Sequence, residues 1–238
     1  MPWATVVGMC ELPEQLFANP AWHALNTRHR HLALRYGAAS RYSADVAPFA
    51  AVAEPSAEAF RDLHALLEPG EPVWIAIGDY ALPREFAVEA SLECLQMALP
   101  QSIATPETTR DHARLSARDA RAMVALTDIA FPGFFRPHSY RMGRYYGMRG
   151  ADALIAMGGE RFQLEGFPEI SAVCTHPVHR GQGLASDLIW RLVGEHRRAG
   201  LVSWLHVGCE NLNAIRLYTQ LGFVVSRTIE WRRIARAY

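Results

Sequence analysis

The segment EISAVCTHPVHRGQGLASDLIWRLVGEHRR, residues 169–198, carries the pattern that decides the fold. It begins with a β-like run at residues 169–175 and continues with apolar side chains at helical spacing over residues 181–198. The turn RGQGLA, residues 180–185, joins them, and its glycines let the backbone approach a ligand where a Cβ would intrude. Successive N–H groups in such a turn, together with the positive end of the helix dipole, bind a pyrophosphate. The sequence therefore predicts a phosphate-bearing ligand at this turn.

Two folds place Gly-x-Gly after a strand, and the turn alone does not distinguish them. A dinucleotide-binding unit uses Gly-x-Gly-x-x-Gly, with an acidic residue at the end of the next strand. In this chain Ser186 occupies the position of the third glycine, whereas Glu210 does follow the next strand. On this segment a dinucleotide therefore stays open as the ligand.

The segment CENLNAIRLYTQLGF, residues 209–223, favours the other fold. It resembles the second signature of the GNAT N-acetyltransferases, in which Asn and Asn-Ala precede a helix with Leu-Tyr and a closing Leu-Gly-Phe. The first signature of that family, Arg-x-x-Gly-x-Ala, matches Arg180, Gly183 and Ala185 in the turn. Order and spacing both agree, so the resemblance assigns the turn to the pyrophosphate of acetyl-CoA.

The resemblance covers roughly residues 110–238 and implies a fold. The run ISAVCTHP at residues 170–177, with LHV at residues 205–207, is similar to the glycine-N-acyltransferase-like subfamily. A protein of this family is α/β. Its sheet is mixed and mostly antiparallel, is flanked by helices, and splays at a parallel strand pair, here residues 169–175 and 201–207.

A linker divides the chain into two predicted domains. The Pro-rich and polar stretch LPQSIATP, residues 99–106, has the composition of a domain boundary. It predicts a smaller N-terminal α/β domain at residues 1–105 and a catalytic GNAT domain at residues 106–238. The subfamily resemblance implies that the first domain is a degenerate copy of the second.

Periodicity and capping residues predict further elements. These are helices at residues 20–28, 56–67, 116–130 and 213–221, and strands at residues 31–35, 73–77, 201–207 and 224–232. A hairpin is predicted from strands at residues 153–157 and 161–164 around Gly158-Gly159, because Gly-Gly between β-like runs is typical of a two-residue hairpin turn.

The resemblance implies that acetyl-CoA is the co-substrate. The pantetheine arm is expected in the gap between the splayed strands, where it pairs with strand backbone as an added strand would. An N–H at a strand bulge near Val173 or Cys174 polarises the thioester carbonyl. The residues predicted to bind this cofactor are Val173, Cys174, Thr175, Arg180, Gly181, Gln182, Gly183, Leu184, Ala185, Asn211, Asn213 and Tyr218.

Direct acyl transfer requires a neutral amine and an acid that protonates the departing thiolate. The family match puts Tyr218 beside the sulfur of CoA, so we predict it to be the general acid, although helical spacing alone gives a half-buried core tyrosine. Glu169 is a candidate general base, and an exposed strand-end carboxylate is the alternative. His206 is a second candidate for the base, but a lone His in an apolar strand is more often a satisfied core residue. Cys174 has no identifiable base beside it, so a buried thiol is favoured over a ping-pong nucleophile.

Composition excludes several functions. Lys and Arg together number 24 and all are Arg, so no Walker A or Schiff-base lysine exists. The net charge of zero makes a nucleic-acid partner unexpected. No apolar run reaches membrane-span length, and the start MPWAT does not resemble a secretory signal, so we expect no membrane association. The isolated cysteines favour a cytoplasmic protein, and the cluster at residues 29–31 lacks partners for a metal site.

Three functions are compatible with the two signatures. The preferred one is an N-acetyltransferase that acts on a primary amine of a small molecule or amino acid. A protein or peptide N-acetyltransferase and a non-catalytic acyl-CoA-binding regulatory module are the alternatives. The aromatic cluster Phe131, Phe134 and Phe135 lies where the family has its acceptor-binding region, and it is either a substrate wall or plain core. The sequence does not identify the acceptor, and whether the chain forms a homodimer stays open.

Overall fold

The computed structural model describes residues 12–108, 110–151 and 153–237. The helices within these ranges are α1 Glu14–Ala18, α2 Pro20–Asn26, α3 Ala57–Leu66, α4 Ala120–Ala130, α5 Leu184–Arg198 and α6 Leu212–Gln220. The strands are β1 Ala33–Tyr36, β2 Ala39–Tyr42, β3 Ala50–Val52, β4 Val73–Ile75, β5 Phe86–Ala98, β6 Ala113–Arg114, β7 Tyr145–Arg149, β8 Leu154–Leu164, β9 Phe167–Thr175, β10 Trp204–Gly208 and β11 Val224–Arg236. None of the helices is both long and apolar enough to cross a bilayer.

One large sheet organises the molecule. Its eight strands follow the order β4, β11, β5, β10, β9, β8, β7, β6, and a separate three-stranded sheet has the order β1, β2, β3. Within the described part of the chain, the pairing of β9 with β10 is parallel and the other strand pairs of the large sheet are antiparallel. This confirms the predicted fold class, a mixed and mostly antiparallel sheet with flanking helices.

Local sequence explains where the helices begin. The Asn19 side chain accepts a hydrogen bond from the Trp22 N–H, and Pro20 occupies the first turn of α2. Ser56 caps α3 by accepting from the Ala59 N–H at 3.1 Å. Helix α5 begins at Leu184 rather than at residue 181, because the preceding glycines are left-handed. The predicted helices are thus confirmed, with shifts of a few residues at their ends.

The core lies on both faces of the large sheet. Helix α5 covers one face with Leu188, Ile189, Leu192 and Val193, all fully buried, as its helical periodicity predicts. The other face packs against aromatic side chains from the first helices, from the three-stranded sheet and from the large sheet itself, including Phe17, Tyr42, Phe162 and Trp204. The sheet is therefore held between two apolar layers, which fixes the positions of its central strands.

The large sheet continues across the predicted domain boundary. Strands β4 and β5 precede residue 105, yet β5 lies between β10 and β11 and pairs with both. The division into residues 1–105 and 106–238, and the interpretation of the first part as a degenerate copy, stay predictions. The continuous sheet has a direct consequence for the site, because strands from before the linker reach it.

The predicted hairpin at Gly158-Gly159 is wrong. Strand β8 passes through both glycines without a turn and pairs with β7 on one side and β9 on the other. Gly159 faces Tyr145 across the β7/β8 pair, and a Cβ at this position would overlap the Tyr145 ring. Glycine is needed here for close packing inside a strand rather than for a turn. The true turn is at Gly166, which has φ +79 between β8 and β9.

Candidate active site

Strands β9 and β10 form an open gap in the large sheet. Their one register pair joins Trp204 to Glu169, near the start of both strands. Further along β9, the register against β8 shifts between Met157 and Gly159, and Ala172 adopts a φ of 54°. An extra residue in a strand leaves a backbone group outside the ladder and bends the strand. The bulge therefore turns β9 away from β10, and it lies at the position where a bulge N–H is predicted.

A cavity of about 240 Å³ occupies this gap. Part of its lining comes from the β9 bulge, the end of β10 and helix α6: Ile170, Ser171, Ala172, Val173, Val207, Gly208, Asn211, Ala214 and Tyr218. The remainder is mostly aromatic and comes from strands on both sides of the linker and from the loop after α4: Phe49, Trp74, Leu92, Cys94, Phe131, Phe134, Arg161, His206 and Trp231. A single volume thus joins the region predicted for the donor to an aromatic wall.

The glycine turn has the geometry of an anion-binding site. Gly181 and Gly183 have φ values of 77° and 75°, and a Cβ at either would meet nothing within 4 Å. Their glycine identity therefore follows from the left-handed backbone. No side chain caps the first turn of α5, so its N–H groups face outward. The Arg110 side chain donates to the Gln182 carbonyl at 2.9 Å and holds the turn in position.

A second cavity lies beside the turn. Its volume is about 450 Å³, and its lining includes Arg110, Arg149, Gln182 and Leu184. Arg149 is paired with Asp119, and Asp111 lines the cavity beside Arg110, so the exposed N–H groups at the start of α5 are the feature that favours an anion here. The cavity is large enough to hold a further part of a ligand whose phosphate groups lay at the turn.

Of the three residues predicted at α6, two line the cavity and one does not. Asn211 lines the cavity at the start of the helix, and its side chain accepts from the Ala214 N–H at 3.1 Å. Asn213 is exposed and does not line the cavity. Tyr218 is 9% exposed and lines the cavity, and its hydroxyl makes no hydrogen bond to any described residue. Burial raises the pKa of Tyr218 to about 12, so the phenol keeps its proton at neutral pH.

Glu169 is sealed in an ion pair. Its carboxylate accepts from the Arg161 Nε at 2.9 Å, from the His206 Nδ1 at 2.7 Å and from the Phe162 N–H at 3.1 Å. Burial raises the pKa of this carboxyl group, but the positive charge of Arg161 and the hydrogen bond from His206 outweigh burial and lower the pKa to about 2. A general base needs a pKa near the working pH and access to the substrate. This arrangement argues against the predicted base role of Glu169, which instead positions Arg161 and His206.

His206 is a satisfied imidazole. Its Nδ1–H donates to Glu169, and its Nε2 accepts from the Gln96 side-chain N–H at 3.1 Å, a tautomer that the network assigns. The same Gln96 nitrogen donates to the Phe17 carbonyl at 2.9 Å, which fixes the orientation of the amide. Burial lowers the pKa of His206 and keeps the ring neutral. These contacts support the core interpretation of this histidine.

Cys174 and the aromatic cluster also have defined places. Cys174 is buried against the core around α4, outside the cavity lining, and burial raises the pKa of its thiol to about 12. A protonated and inaccessible thiol does not serve as a nucleophile. Phe131 and Phe134 line the cavity, whereas Phe135 packs on Tyr145 in the core. Two members of the cluster therefore face the cavity, and the third packs in the core.

Sequence reasoning missed the residues that line the rest of the cavity. Phe49 and Trp74 reach it from before the linker, and an isolated bridge joins their backbones. Arg161 reaches it from β8. For Arg161 the sequence did hold one signal, a charged side chain within an apolar strand. Such a charge requires a partner when it is buried.

A mixed sheet that opens at its parallel pair, beside a helix with a glycine turn, is the arrangement expected for an acetyl-CoA-dependent acyltransferase. Residues 145–232 match the family described as FR47-like protein. A solved protein of the GNAT family from Novosphingobium aromaticivorans is 29% identical, covers 93% of this chain and 99% of its own, and superposes with a TM-score of 0.84. The fold and these similarities are those of the GNAT acetyltransferases.

Two further relatives differ in what they support. A GCN5-related N-acetyltransferase from Kribbella flavida is 18% identical over 92% of this chain and 96% of its own, with a TM-score of 0.59, which supports the fold alone. The L-methionine sulfoximine/L-methionine sulfone acetyltransferase of Salmonella typhimurium is 41% identical over 56 residues. That match covers 23% of this chain and 33% of the relative. The substrate of this relative therefore does not transfer directly to the chain.

Proposed function

We propose that the protein is an N-acetyltransferase that moves the acetyl group of acetyl-CoA to a primary amine of a small molecule or amino acid by direct attack. The observation that carries this proposal is the single cavity of about 240 Å³, lined both by the bulged β9 with Tyr218 and by the aromatic wall. A donor thioester and an acceptor can meet in such a volume. We keep the glycine-N-acyltransferase-like subfamily as the finer part of the proposal.

The donor is held mainly by backbone. The N–H groups of residues 180–185 bind its pyrophosphate, with Arg110 beside the turn in the neighbouring cavity. The pantetheine arm fills the gap between β9 and β10 and pairs with β9 at residues 173–175. The unsatisfied N–H groups at the start of α5 and the missing strand pairing along β9 both fit this ligand.

The chemistry follows from the groups that line the cavity. The amine nitrogen attacks the thioester carbonyl carbon, and the C–N bond forms as the C–S bond breaks. The N–H at the bulge, near Val173, donates to the oxygen as it gains negative charge. Tyr218 gives its proton to the departing thiolate and regains one from solvent. The proton of the amine leaves through solvent, because Glu169 and His206 are already fully engaged.

The size of the cavity favours a small acceptor over a polypeptide. The cavity of about 240 Å³ must also admit the thioester end of the donor, so the space beside the aromatic wall suits a compact acceptor, whereas a peptide needs an open groove. The protein acetyltransferase alternative is therefore less well supported.

Release of CoA from acetyl-CoA, followed with a thiol reagent across a panel of primary amines, tests the proposal on the full chain. Calorimetry with acetyl-CoA measures donor binding separately. We expect saturable binding and amine-dependent release of CoA. Binding without release for any amine would support the regulatory module and contradict the enzyme, and absence of binding would contradict both.

A further inference from the structure

One cation lines the acceptor part of the cavity. Arg161 is 18% exposed, and its Nε and Nη2 both donate to the sealed Glu169 carboxylate. Its Nη1 donates to no described residue and is absent from the fully buried polar atoms that lack a partner. Because Arg161 lines the cavity, this remaining nitrogen is the part of the guanidinium that the cavity can reach.

The guanidinium is held rigidly. Its central carbon lies 4.9 Å from the Phe49 ring centroid and 4.7 Å from that of Phe162, so the group packs against two aromatic rings that meet each other edge to face. The bidentate contact with Glu169 fixes its rotation. A donor that is already oriented loses little entropy when it binds a ligand, and a planar guanidinium suits a carboxylate. The Arg161 Nη1 is therefore well suited to donate a hydrogen bond to an anionic oxygen.

The wall around this donor is aromatic. Trp74 stacks on Phe134 with ring centroids 5.5 Å apart, and Phe49 meets Trp231 edge to face at 5.2 Å. These rings bind an apolar or aromatic side chain by burial and by ring contacts. The cavity thus offers one hydrogen-bond donor to an anion and an apolar surface to a neighbouring group.

The charges nearby favour a zwitterion. Glu169 neutralises Arg161 and has its oxygens engaged, so it does not recruit a substrate ammonium. An acceptor without an anionic group would dehydrate the Arg161 Nη1 and leave it unpaired, which costs binding free energy. An acceptor whose amine and carboxylate share one carbon is neutral overall and satisfies this donor.

We infer that the acceptor is an α-amino acid with an apolar or aromatic side chain, and that Arg161 binds its carboxylate. This inference rests on the proposed acetyltransferase function and names its substrate class. The amine forms the new amide bond as the thioester C–S bond breaks, and the carboxylate is unchanged. Arg161 thereby selects and positions the acceptor, and the wall selects its side chain.

Matched acceptors test the inference with the unaltered full chain. One series is L-phenylalanine, L-phenylalaninamide and 2-phenylethylamine, and another is L-methionine, L-methioninamide and 3-methylthiopropylamine. We expect kcat/KM to be roughly 10- to 100-fold higher for the carboxylate of each series, the size of one charge-assisted hydrogen bond. The amides have less basic amines and hence more of the neutral nucleophile, so the intrinsic bias in the comparison of amino acid with amide acts against this result.

Each outcome decides the inference. Equal or greater kcat/KM for the amides and amines overturns it but leaves the acetyltransferase proposal intact. Absence of turnover with every acceptor overturns both. Preference for the carboxylate in both series supports the inference.

Variants then assign the preference to Arg161. Removing Arg161 alone would leave Glu169 buried and unpaired, so the double variant Arg161→Gln/Glu169→Gln removes both charges together. We expect the ratio of kcat/KM between amino acid and amide to fall toward one. Arg84→Gln, at a residue whose side chain is 96% exposed, is the control and should keep the ratio. Circular dichroism checks folding, and an unchanged ratio in a folded double variant would overturn the assignment.

Discussion

Trp204 lies opposite Glu169 in the parallel pair of β9 and β10, and the two strands separate beyond this pair. The same Glu169 binds Arg161 and His206 from the neighbouring strands β8 and β10. The closed end of the gap is thus held by charge as well as by the ladder, while the bulge at Ala172 keeps the other end open. Two separate features of β9 therefore define the opening: the ion pair at Glu169 closes one end, and the bulge at Ala172 opens the other.

The bulge makes a prediction about stability. An Ala at φ 54° carries strain of roughly 1 kcal/mol that glycine does not carry, so Ala172→Gly should stabilise the fold by up to about 1 kcal/mol. Denaturant unfolding measures the change. Ala87→Gly, at an exposed position of β5, is the control and should cost roughly 0.5–1 kcal/mol. If both variants lose the same stability, Ala172 is not strained and the bulge has another cause.

Tyr218 makes a prediction about the chemical step. The variant Tyr218→Phe keeps the ring and removes the proton donor, so kcat should fall roughly 100-fold or more while acetyl-CoA still binds. Stopped assays of CoA release and calorimetry measure the two effects. Tyr140→Phe, outside the cavity lining, is the control and should leave kcat unchanged. A normal kcat in Tyr218→Phe would remove the tyrosine from the mechanism.

The pKa of Tyr218 predicts the shape of the pH profile. Because burial raises this pKa to about 12, the phenol stays protonated throughout the range below that value. The acid form is therefore lost only as the pH rises through about 12. The rate should show no alkaline decrease attributable to Tyr218 up to about pH 10, and a decrease that is abolished in Tyr218→Phe would contradict this assignment.

The proposed donor half of the site could be predicted from the sequence because its chemistry is local. A pyrophosphate needs a left-handed glycine turn at a helix start, and both requirements lie within residues 180–185. The acceptor half is different, because Phe49, Trp74 and Arg161 come together only through the sheet. The sequence around each of these residues does not indicate that the three lie close together in space. The ion pair that closes Glu169 is likewise a tertiary contact, which is why the predicted base has a pKa of about 2 instead of one near neutrality.

The same distinction explains the errors in secondary structure. Strand β5, FAVEASLECLQMA, is rich in residues with high helix propensity, and the sequence analysis did not predict it. Pairing with β10 and β11 on its two sides overrides that propensity. Gly158-Gly159 suggested a turn, but packing of the Tyr145 ring requires the missing Cβ. In both cases the deciding neighbour lies on another strand.

Alanine variants of the glycines at the two ends of α5 distinguish an effect on ligand binding from an effect of backbone strain. Gly183 and Gly200 have φ values of 75° and 73°, and a Cβ at either meets nothing within 4 Å. Substitution by Ala should destabilise both variants by a similar amount, roughly 1 kcal/mol. Only Gly183→Ala should also raise the KM for acetyl-CoA, by about tenfold or more, because only its turn is proposed to bind the pyrophosphate. Equal KM values in the two variants would contradict donor binding at this turn.

Glu160 makes a prediction about acid stability. This buried carboxylate accepts from the Arg144 Nε at 2.7 Å and the His196 Nε2 at 2.8 Å. Burial raises its pKa, but hydrogen bonds from His196 and Arg144 outweigh burial and lower it from 4.5 to about 2. Because the folded pKa is depressed, this stabilisation is present above about pH 4.5 and is lost as the pH falls toward 2.

Urea unfolding of Glu160→Gln and of the unaltered protein at several pH values checks this expectation. The variant should be less stable by roughly 2–3 kcal/mol at neutral pH, and the difference should shrink as the pH falls below about 4.5. Glu85→Gln, at a half-exposed carboxylate, is the control and should follow the unaltered protein. A difference that does not change with pH would show that Glu160 contributes by packing and not by its charge.

Trp74 tests whether the part of the chain before the linker takes part in acceptor binding. Its ring stacks on Phe134 in the cavity wall, so Trp74→Leu removes one aromatic surface from the acceptor side while the glycine turn is untouched. We expect the KM for the acceptor to rise by about tenfold and the KM for acetyl-CoA to stay the same, because lost ring burial costs roughly 1–2 kcal/mol. Trp190→Leu on α5, outside the cavity lining, is the matched control. A rise in both KM values for Trp74→Leu, or an equal rise in the control, would mean that residues before the linker support the fold alone, whereas a selective rise makes them part of the acceptor site.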